Sequence, residues 1–138
     1  MKIKFKKLVV SLSLVISTCL SFSQVEVGEV LVIYPYVGEY SVKDSLIKIT
    51  DLLEVEGITA IREDGAEFEV VRFDLTILDS SKGYVLVGGG SANSKFTGKM
   101  RNLIKHLKKG DKLYVENIKV LNNVGKKIPV GGLSFRVI

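Results

Sequence analysis

His106 is the only histidine in the 138-residue chain, and imidazole is the side chain best suited to general-base or metal chemistry near neutral pH. The only cysteine, Cys19, lies in an N-terminal segment predicted to be removed, so a zinc or copper site would have no second nitrogen or sulfur ligand. A lone histidine on a helix flank is typical of an ordinary surface residue. The sequence therefore predicts no metal site, no cofactor and no histidine-based catalysis.

Three consecutive glycines, Gly88, Gly89 and Gly90, resemble a phosphate-binding loop at first reading. That loop requires a glycine, four residues and then Gly-Lys-Ser/Thr. The Gly-Lys pair at 98–99 is followed by Met100, and Asn93 stands where the first glycine belongs, so the motif fails at two positions. The glycines instead predict a bulge, a flexible strand end or a loop that another backbone approaches closely.

Four carboxylates surround a turn predicted at Asp64-Gly65: Glu63, Asp64, Glu67 and Glu69. Paired carboxylates can hydrolyse glycosides, and clustered ones can bind calcium. The spacing of a calcium-binding EF-hand loop is missing, and the chain has no G-x-S-x-G nucleophile motif. These residues are best interpreted as the solvated tip of a hairpin, and we expect the protein not to be an enzyme.

A helix predicted over about Phe96–Lys109 positions the other candidate residues. Its apolar residues recur at helical spacing and share one stripe: Phe96, Met100, Leu103, Ile104 and Leu107. Ser94 or Thr97 can cap its first turn, and Gly110 suits the left-handed residue after its end. The opposite side is basic, with Arg101, Lys105, Lys108 and Lys109. This basic face is either a contact for an acidic partner or lipid headgroups, or an ordinary solvated surface.

The rest of the chain has the pattern of short strands separated by turns. We predict strands at Val30–Tyr34, Leu53–Ile61, Phe68–Asp79, Tyr84–Val87, Leu113–Val120 and Leu133–Val137, with one helical turn near Ser41–Ile47. Pro35 and Gly38 are expected to end the first strand, and Tyr84–Val87, apolar on both faces, is expected to be central. The fold class is therefore mainly β, an antiparallel β-sandwich with one amphipathic helix.

Two of these strands allow the buried face to be predicted residue by residue. Val71, Phe73, Leu75 and Ile77 alternate with more polar residues and should face the core. Leu113 and Val115 point one way, whereas Ile118 and Val120 are out of phase by one residue. A β-bulge near Glu116-Asn117 would restore the phase.

The N-terminal 23 residues have the features of a secretory signal peptide. Four lysines precede a short apolar run, and small residues at positions 21 and 23 predict cleavage between Ser23 and Gln24. The apolar run is too short to span a membrane. Ile16–Cys19 resembles a lipoprotein motif, so lipidation of Cys19 is an alternative. We expect an exported, periplasmic protein whose residues 24–138 form one domain without a transmembrane helix.

Removal of the signal peptide changes the charge of the chain. The full chain has a net charge of +5, but the lysines of the signal peptide account for four positive charges, which leaves 16 basic against 15 acidic residues. No strong positive field remains to favour nucleic acid. The 115 residues that follow the cleavage site contain no cysteine, so disulfides are not expected, and a domain of this size can bury an adequate core without them.

Several segments from position 91 onward form one pattern: Ser91–Ser94, Phe96-Thr97, Leu103-Ile104, Leu107, Gly110-Asp111, Tyr114–Ile118, Ile128-Pro129 and Leu133–Val137. This pattern resembles the C-terminal domain of GldM, a component of the gliding-motility and type IX secretion machinery of Bacteroidota. The last periplasmic domain of that family is immunoglobulin-like, so the resemblance implies an immunoglobulin-like β-sandwich. GldM also has a membrane-embedded motor helix and further domains; the resemblance covers neither, and the motor role is not carried over.

The resemblance implies a stand-alone, non-enzymatic interaction module that docks to other cell-envelope proteins. A small-ligand carrier or inhibitor on the same β scaffold is the alternative, and it would need a concave apolar pocket. A docking module needs an exposed apolar patch or a free strand edge. Two candidate surfaces follow: the basic helix face defined above, and the edge beside the glycine-rich segment Gly88–Ser94.

Overall fold

The computed structural model describes residues 32–138. The predicted signal peptide, Cys19 and the predicted Ser23–Gln24 cleavage site lie outside these residues. The strands are β1 Ile33–Val37, β2 Leu46–Ile47, β3 Ile58–Arg62, β4 Glu67–Leu78, β5 Val85–Ser91, β6 Lys112–Leu121, β7 Lys127–Val130 and β8 Leu133–Val137, and the helices are α1 Ile49–Leu53 and α2 Gly98–Lys105.

The strands form one curled sheet in the order β1-β3-β4-β6-β8-β2. On one of its edges, each of the long strands β4 and β6 pairs with two different strands. β4 pairs with β3 near its start and with β5 from Phe73 onward, and β6 pairs first with β8 and then with β7. The predicted mainly β, sandwich-like architecture is confirmed. The pairings are antiparallel as predicted, except that β2 lies parallel to β8.

Two bulges let the long strands curl. Asn117 has a φ of 53° and is the extra residue on β6, which confirms the bulge predicted from the change of phase. A matching irregularity on β4 falls between Val70 and Arg72, so that Val70 is buried and Val71 is only half-buried. The prediction that Val71 faces the core was wrong because Val71 is the extra residue at an irregularity in β4 itself, where the simple alternation of faces breaks down.

The core lies on the inner face of the curled sheet and is closed on one side by α2. Met100, Ile104 and Leu107 are buried as predicted, and Leu103 is half-buried. Phe96 lies just before the helix, and its ring meets that of Phe73 edge to face with 5.9 Å between ring centroids. The amphipathic stripe of the helix therefore does pack as the sequence indicated.

The first third of the domain differs from the prediction. Pro35 does not end β1, because β1 is an edge strand, where a residue without an N–H is tolerated. Leu46 and Ile47 are not helical, since they pair with Arg136 and Val137 of β8. The helix comes afterwards, as α1, and the predicted strand at Leu53–Ile61 consequently starts only at Ile58.

Helix α2 is shorter than the predicted Phe96–Lys109. Thr97 is its N-cap, as one of the two predicted candidates, and its hydroxyl accepts a hydrogen bond from the Met100 amide at 3.2 Å. After Lys105 the amides of His106 and Leu107 donate to carbonyls three residues back instead of four. The Lys108 amide then donates to the Asp111 carboxylate at 2.9 Å, outside the helix. Lys108 and Lys109 therefore lie in a loop, and Gly110 (φ 95°) follows that loop rather than the helix.

Candidate functional site

The candidate site is the free edge of β5, which pairs with β4 and with no other strand of residues 32–138. The prediction that Tyr84–Val87 is a central strand was therefore wrong. All four residues are exposed: Tyr84 63%, Val85 61%, Leu86 37% and Val87 59%. A continuous apolar run looks the same on an edge as in the middle of a sheet, so the sequence pattern alone could not separate the two positions.

The glycines shape this edge by a bulge, one of the structural roles predicted for them. The register slips by one residue between Leu75 and Thr76, so that Leu75 lies opposite Gly89 and Thr76 opposite Val87. Gly89 has a φ of 78°, which favours glycine. A Cβ on Gly88 would come within 3.0 Å of the Leu75 carbonyl oxygen, and one on Gly90 within 2.8 Å of the Asp74 carboxylate. Gly88 and Gly89 are thus required by the close Leu75 backbone and by the positive φ, whereas the atom nearest Gly90 is the end of a side chain that can move aside.

The pairing of β4 with β5 identifies the backbone groups of β5 that point away from β4. The Asp79 amide donates to the Tyr84 carbonyl at 2.8 Å, so the backbone groups of Tyr84 point towards β4. Backbone groups in an antiparallel pair alternate in direction. The N–H and C=O groups of Leu86 therefore also point towards β4, and those of Val85 and Val87 point away from it. The segment Tyr84–Val87 is therefore an apolar strand whose outer edge can form hydrogen bonds with another strand.

The segment after the bulge is fixed by polar contacts rather than flexible. Ser91 is buried, and its hydroxyl donates to the Lys95 carbonyl at 2.6 Å. The Asn93 side chain accepts a hydrogen bond from the Lys95 amide at 2.8 Å. Gly88–Ser91 belongs to β5 and only 92–94 is loop, so the predicted Gly88–Ser94 loop is mostly strand.

The basic residues predicted as a second surface do not form one helical face. Arg101 and Lys105 lie on α2, whereas Lys108 and Lys109 follow its end. The Arg101 guanidinium donates to the Glu56 carbonyl at 3.4 Å, and the Lys108 ammonium lies 3.3 Å from the Asp79 carboxylate. All four side chains are exposed. The structure thus ties two of them to the fold and separates the four into two elements.

Two carboxylates anchor the turn that leads into β5. Asp111 is buried and accepts hydrogen bonds from the Ser80 amide at 3.0 Å and the Ser80 hydroxyl at 3.1 Å. Asp79 accepts from the Ser81 hydroxyl at 2.7 Å, and this bond, with the Lys82 and Ser81 amides and Lys108, lowers its pKa to about 2 although partial burial opposes the shift. These contacts hold the start of β5 in place.

The residues first considered for chemistry have local structural contacts. His106 is exposed, and its Nδ1 lies 2.8 Å from the Asn102 carbonyl oxygen. Arg62 bonds Asp64 through two nitrogens, which with the Ala66 amide lowers the pKa of Asp64 to about 2 and braces the β3–β4 turn. Within residues 32–138, no three His, Cys, Asp or Glu side chains are grouped so that they could hold a metal ion.

One polar cleft was not predicted from the sequence. Glu39, Tyr40, Asp44, Asp51 and Glu54 line a cleft of about 490 Å³ between the β1–β2 connection and α1. The Tyr40 hydroxyl donates to Asp51 at 2.5 Å, and this bond raises the pKa of Tyr40. The sequence signal was the density of acidic residues between positions 39 and 54, but only the α1 turn brings them together.

Fold and site together define a small β-sandwich-like domain with an open, apolar sheet edge, a form suited to binding. No helix among the described residues combines the length and apolarity that crossing a membrane requires. Residues 41–137 match the family model of the GldM C-terminal domain. The match covers more than two thirds of the chain, and the chain belongs to this family of domains from a cell-envelope protein. No curated protein matches the sequence.

Proposed function

We propose that the protein is an exported, non-enzymatic docking module that binds other proteins of the cell envelope through the free edge of β5. The observation that carries the proposal is the exposed apolar segment Tyr84–Val87, with the backbone of Val85 and Val87 directed outwards. An exposed apolar edge with outward backbone groups can pair with another strand, and the bulge at Gly88-Gly89 keeps that pairing short. Membership in the GldM C-terminal domain family supports a role in the gliding and secretion machinery.

The edge of β5 is a better candidate contact than the basic residues around α2. Arg101 and Lys108 already contact Glu56 and Asp79, so a partner would compete with contacts inside the domain. Exposed charges also alter association rate and salt dependence more than affinity. Strand addition draws affinity from main-chain hydrogen bonds that β5 leaves open.

The alternative of a small-ligand carrier has less support. A carrier site is mostly apolar with a few converging polar groups. The cleft beside Tyr40 is instead lined by four carboxylates, which would be costly to bury against an uncharged ligand.

A capture experiment tests the docking role. The tagged protein is incubated with detergent-solubilised envelope, and bound proteins are identified by mass spectrometry. We expect a reproducible partner that Val85→Pro abolishes, because this change removes an outward N–H and leaves the β4 ladder intact. Val85→Thr, which keeps the N–H, is the matched control. Gly89→Pro is unsuitable, because the φ of 78° at Gly89 is incompatible with proline.

A second variant separates the two candidate surfaces. Lys105→Glu with Lys109→Glu reverses charge on exposed residues that make no ion pair within residues 32–138. Under the proposal this pair of changes leaves capture within about twofold, since rim charges contribute little to affinity. If this variant no longer captures the partner while the Val85→Pro variant still does, the contact is made by the basic residues and not by the edge of β5. Absence of any specific partner would refute the docking role.

Export is tested on the protein recovered from cells. We expect its N-terminus to be Gln24 and the protein to be released with the periplasmic fraction. An intact Met1 in a cytoplasmic fraction would refute export. A lipid on Cys19 would instead place the protein on a membrane.

A further inference from the structure

The free edge of β5 and the exposed residues of α2 belong to neighbouring elements, because α2 packs against β5. Helix α2 contacts both α1 and β5. The flank carrying Arg101 faces the connection between α1 and β3, where the guanidinium reaches the Glu56 carbonyl. At about 100° per residue, Lys99 and Leu103 lie on the opposite flank, the one nearer β5. A strand added to β5 would therefore have this helix flank along one side.

The exposed residues of this surface are apolar on β5 and on the Leu103 flank of α2, and basic at Lys82 and Lys99. Leu103 is half-buried, and Leu86 is 37% exposed on the inner side of β5. Lys99 and Lys82 are exposed, and neither is paired with a carboxylate within residues 32–138. Two carboxylates in and just after β4 already have basic partners, because Asp74 pairs with Arg72 and Asp79 with Lys108. The surface formed by the free edge of β5 and this flank of α2 therefore favours an occupant with negative charge at its ends.

A second copy of the chain fits this surface poorly. Antiparallel pairing of two β5 strands would place the two α2 helices side by side and bring their Lys99 flanks together, which is electrostatically unfavourable. The four exposed side chains offer on the order of 400 Å², about half of the roughly 800 Å² that each partner of a standard interface buries. An area of this size suits a single strand better than a folded subunit.

The bulge limits how far a strand can pair. Gly88 and Gly89 distort the edge just after Val87, so regular pairing is confined to Tyr84–Val87, a length of about 13 Å. Two outward-facing residues, Val85 and Val87, can exchange up to four main-chain hydrogen bonds with the occupant.

We propose that this surface binds one extended segment of a partner protein, in which about four to six residues with alternating apolar side chains are flanked at both ends by acidic residues. The inference rests on the proposed docking function and names the chemistry of its partner. The apolar side chains of the segment pack on Leu86 and Leu103 on one side and beside Val85 and Val87 on the other. Its carboxylates lie near Lys82 and Lys99.

Synthetic peptides test the inference directly on the intact protein. The probe is a nine-residue peptide with alternating valine and threonine at its centre and two acidic residues at each end, and the control carries lysines at those ends. We expect the acidic peptide to bind about tenfold more tightly at low ionic strength, and the difference to shrink to about threefold or less in 0.5 M salt. Binding should shift the amide resonances of Val85 and Val87 and leave that of Leu86 less affected.

Charge reversal supplies the matched variant. Lys82→Glu with Lys99→Glu changes two exposed side chains without removing an ion pair seen in residues 32–138, and it should reverse the preference towards the lysine-ended peptide. An acidic peptide methylated at alternate backbone nitrogens should not bind, because it cannot complete the ladder.

The outcomes separate this inference from the docking role. Peptide binding without a charge preference, or binding that leaves the Val85 and Val87 amides unchanged, overturns the inference. So does failure of every peptide while the protein still captures an envelope partner, and in that case the docking role stands. Dimerisation through β5 at micromolar concentration would also overturn it in favour of a second copy.

Discussion

At the scale of single residues, Asp111 is the carboxylate on which the corner between α2 and β6 depends. It is buried and accepts three hydrogen bonds, from the Lys108 amide and from the amide and hydroxyl of Ser80. Asp111→Ala leaves buried donors without an acceptor and should lower the free energy of unfolding by about 2–4 kcal/mol. Urea denaturation measures the loss. A change within about 0.5 kcal/mol would mean that water replaces these contacts.

Asp79 should make stability depend on pH. Its pKa in the folded protein is about 2, below the ordinary value of 3.8, because Ser81, Lys82 and Lys108 stabilise the charged form. Its contribution is therefore fully present above about pH 4 and is lost as the pH falls towards 2. Ser81→Ala removes the largest cause and should raise the pKa of Asp79 towards 3.8, as read from carboxyl ¹³C shifts in an NMR titration. An unchanged pKa would assign the shift to the remaining donors.

At the scale of elements, the residues in the apolar stripe of α2 contribute unequally to the stability of the fold. Ile104 is buried and Leu103 only half-buried, although the sequence pattern treats them alike. Ile104→Ala should cost about 2–4 kcal/mol, and Leu103→Ala only about 1 kcal/mol. Thermal and urea denaturation of the two variants provide the comparison. Equal losses would contradict the placement of Leu103 at the border of the core.

The bulge at Asn117 is a second element with a testable requirement. Its φ of 53° is tolerated by asparagine and glycine, and its side chain donates to Asp74 at 2.7 Å. Asn117→Val should cost about 1–2 kcal/mol, since a β-branched residue is strained there. Asn117→Gly should stay within about 1 kcal/mol of the parent, because it loses the hydrogen bond but not the backbone conformation. If both variants lose the same stability, the hydrogen bond rather than the backbone matters.

These elements also show what the sequence could and could not predict. The α2 stripe and the Asn117 bulge were predictable because both are periodic features of adjacent residues. The parallel pairing of Leu46 with Arg136 was not, because it joins positions 90 residues apart. The edge position of β5 depends on which strands pair across the sheet, and the apolar run Tyr84–Val87 carries no information about that choice. The sequence predicted a binding edge beside the glycine-rich segment Gly88–Ser94, and that this edge binds a partner stays a prediction.

At the scale of the whole molecule, the last strand closes the fold. Leu133, Phe135 and Val137 are buried, and β8 bridges β6 to β2. Phe135→Ala should cost about 3–5 kcal/mol, and ending the chain after Gly132 should leave it unfolded. Circular dichroism and hydrogen exchange test both. A truncated chain with protected β4 and β6 amides would show that the long strands are stable alone.

The pairing of β2 with β8 also limits when the domain can finish folding. Ser45, Ile47 and Ile49 exchange backbone hydrogen bonds with Arg136 and Ile138, so an early segment has to wait for the last residues of the domain. A chain that leaves a ribosome or a narrow translocation pore from its N-terminus cannot complete this contact until the C-terminal strand has emerged. The pairing of β2 with β8 is therefore a late step in folding, because one of its two strands lies at the C-terminal end of the domain.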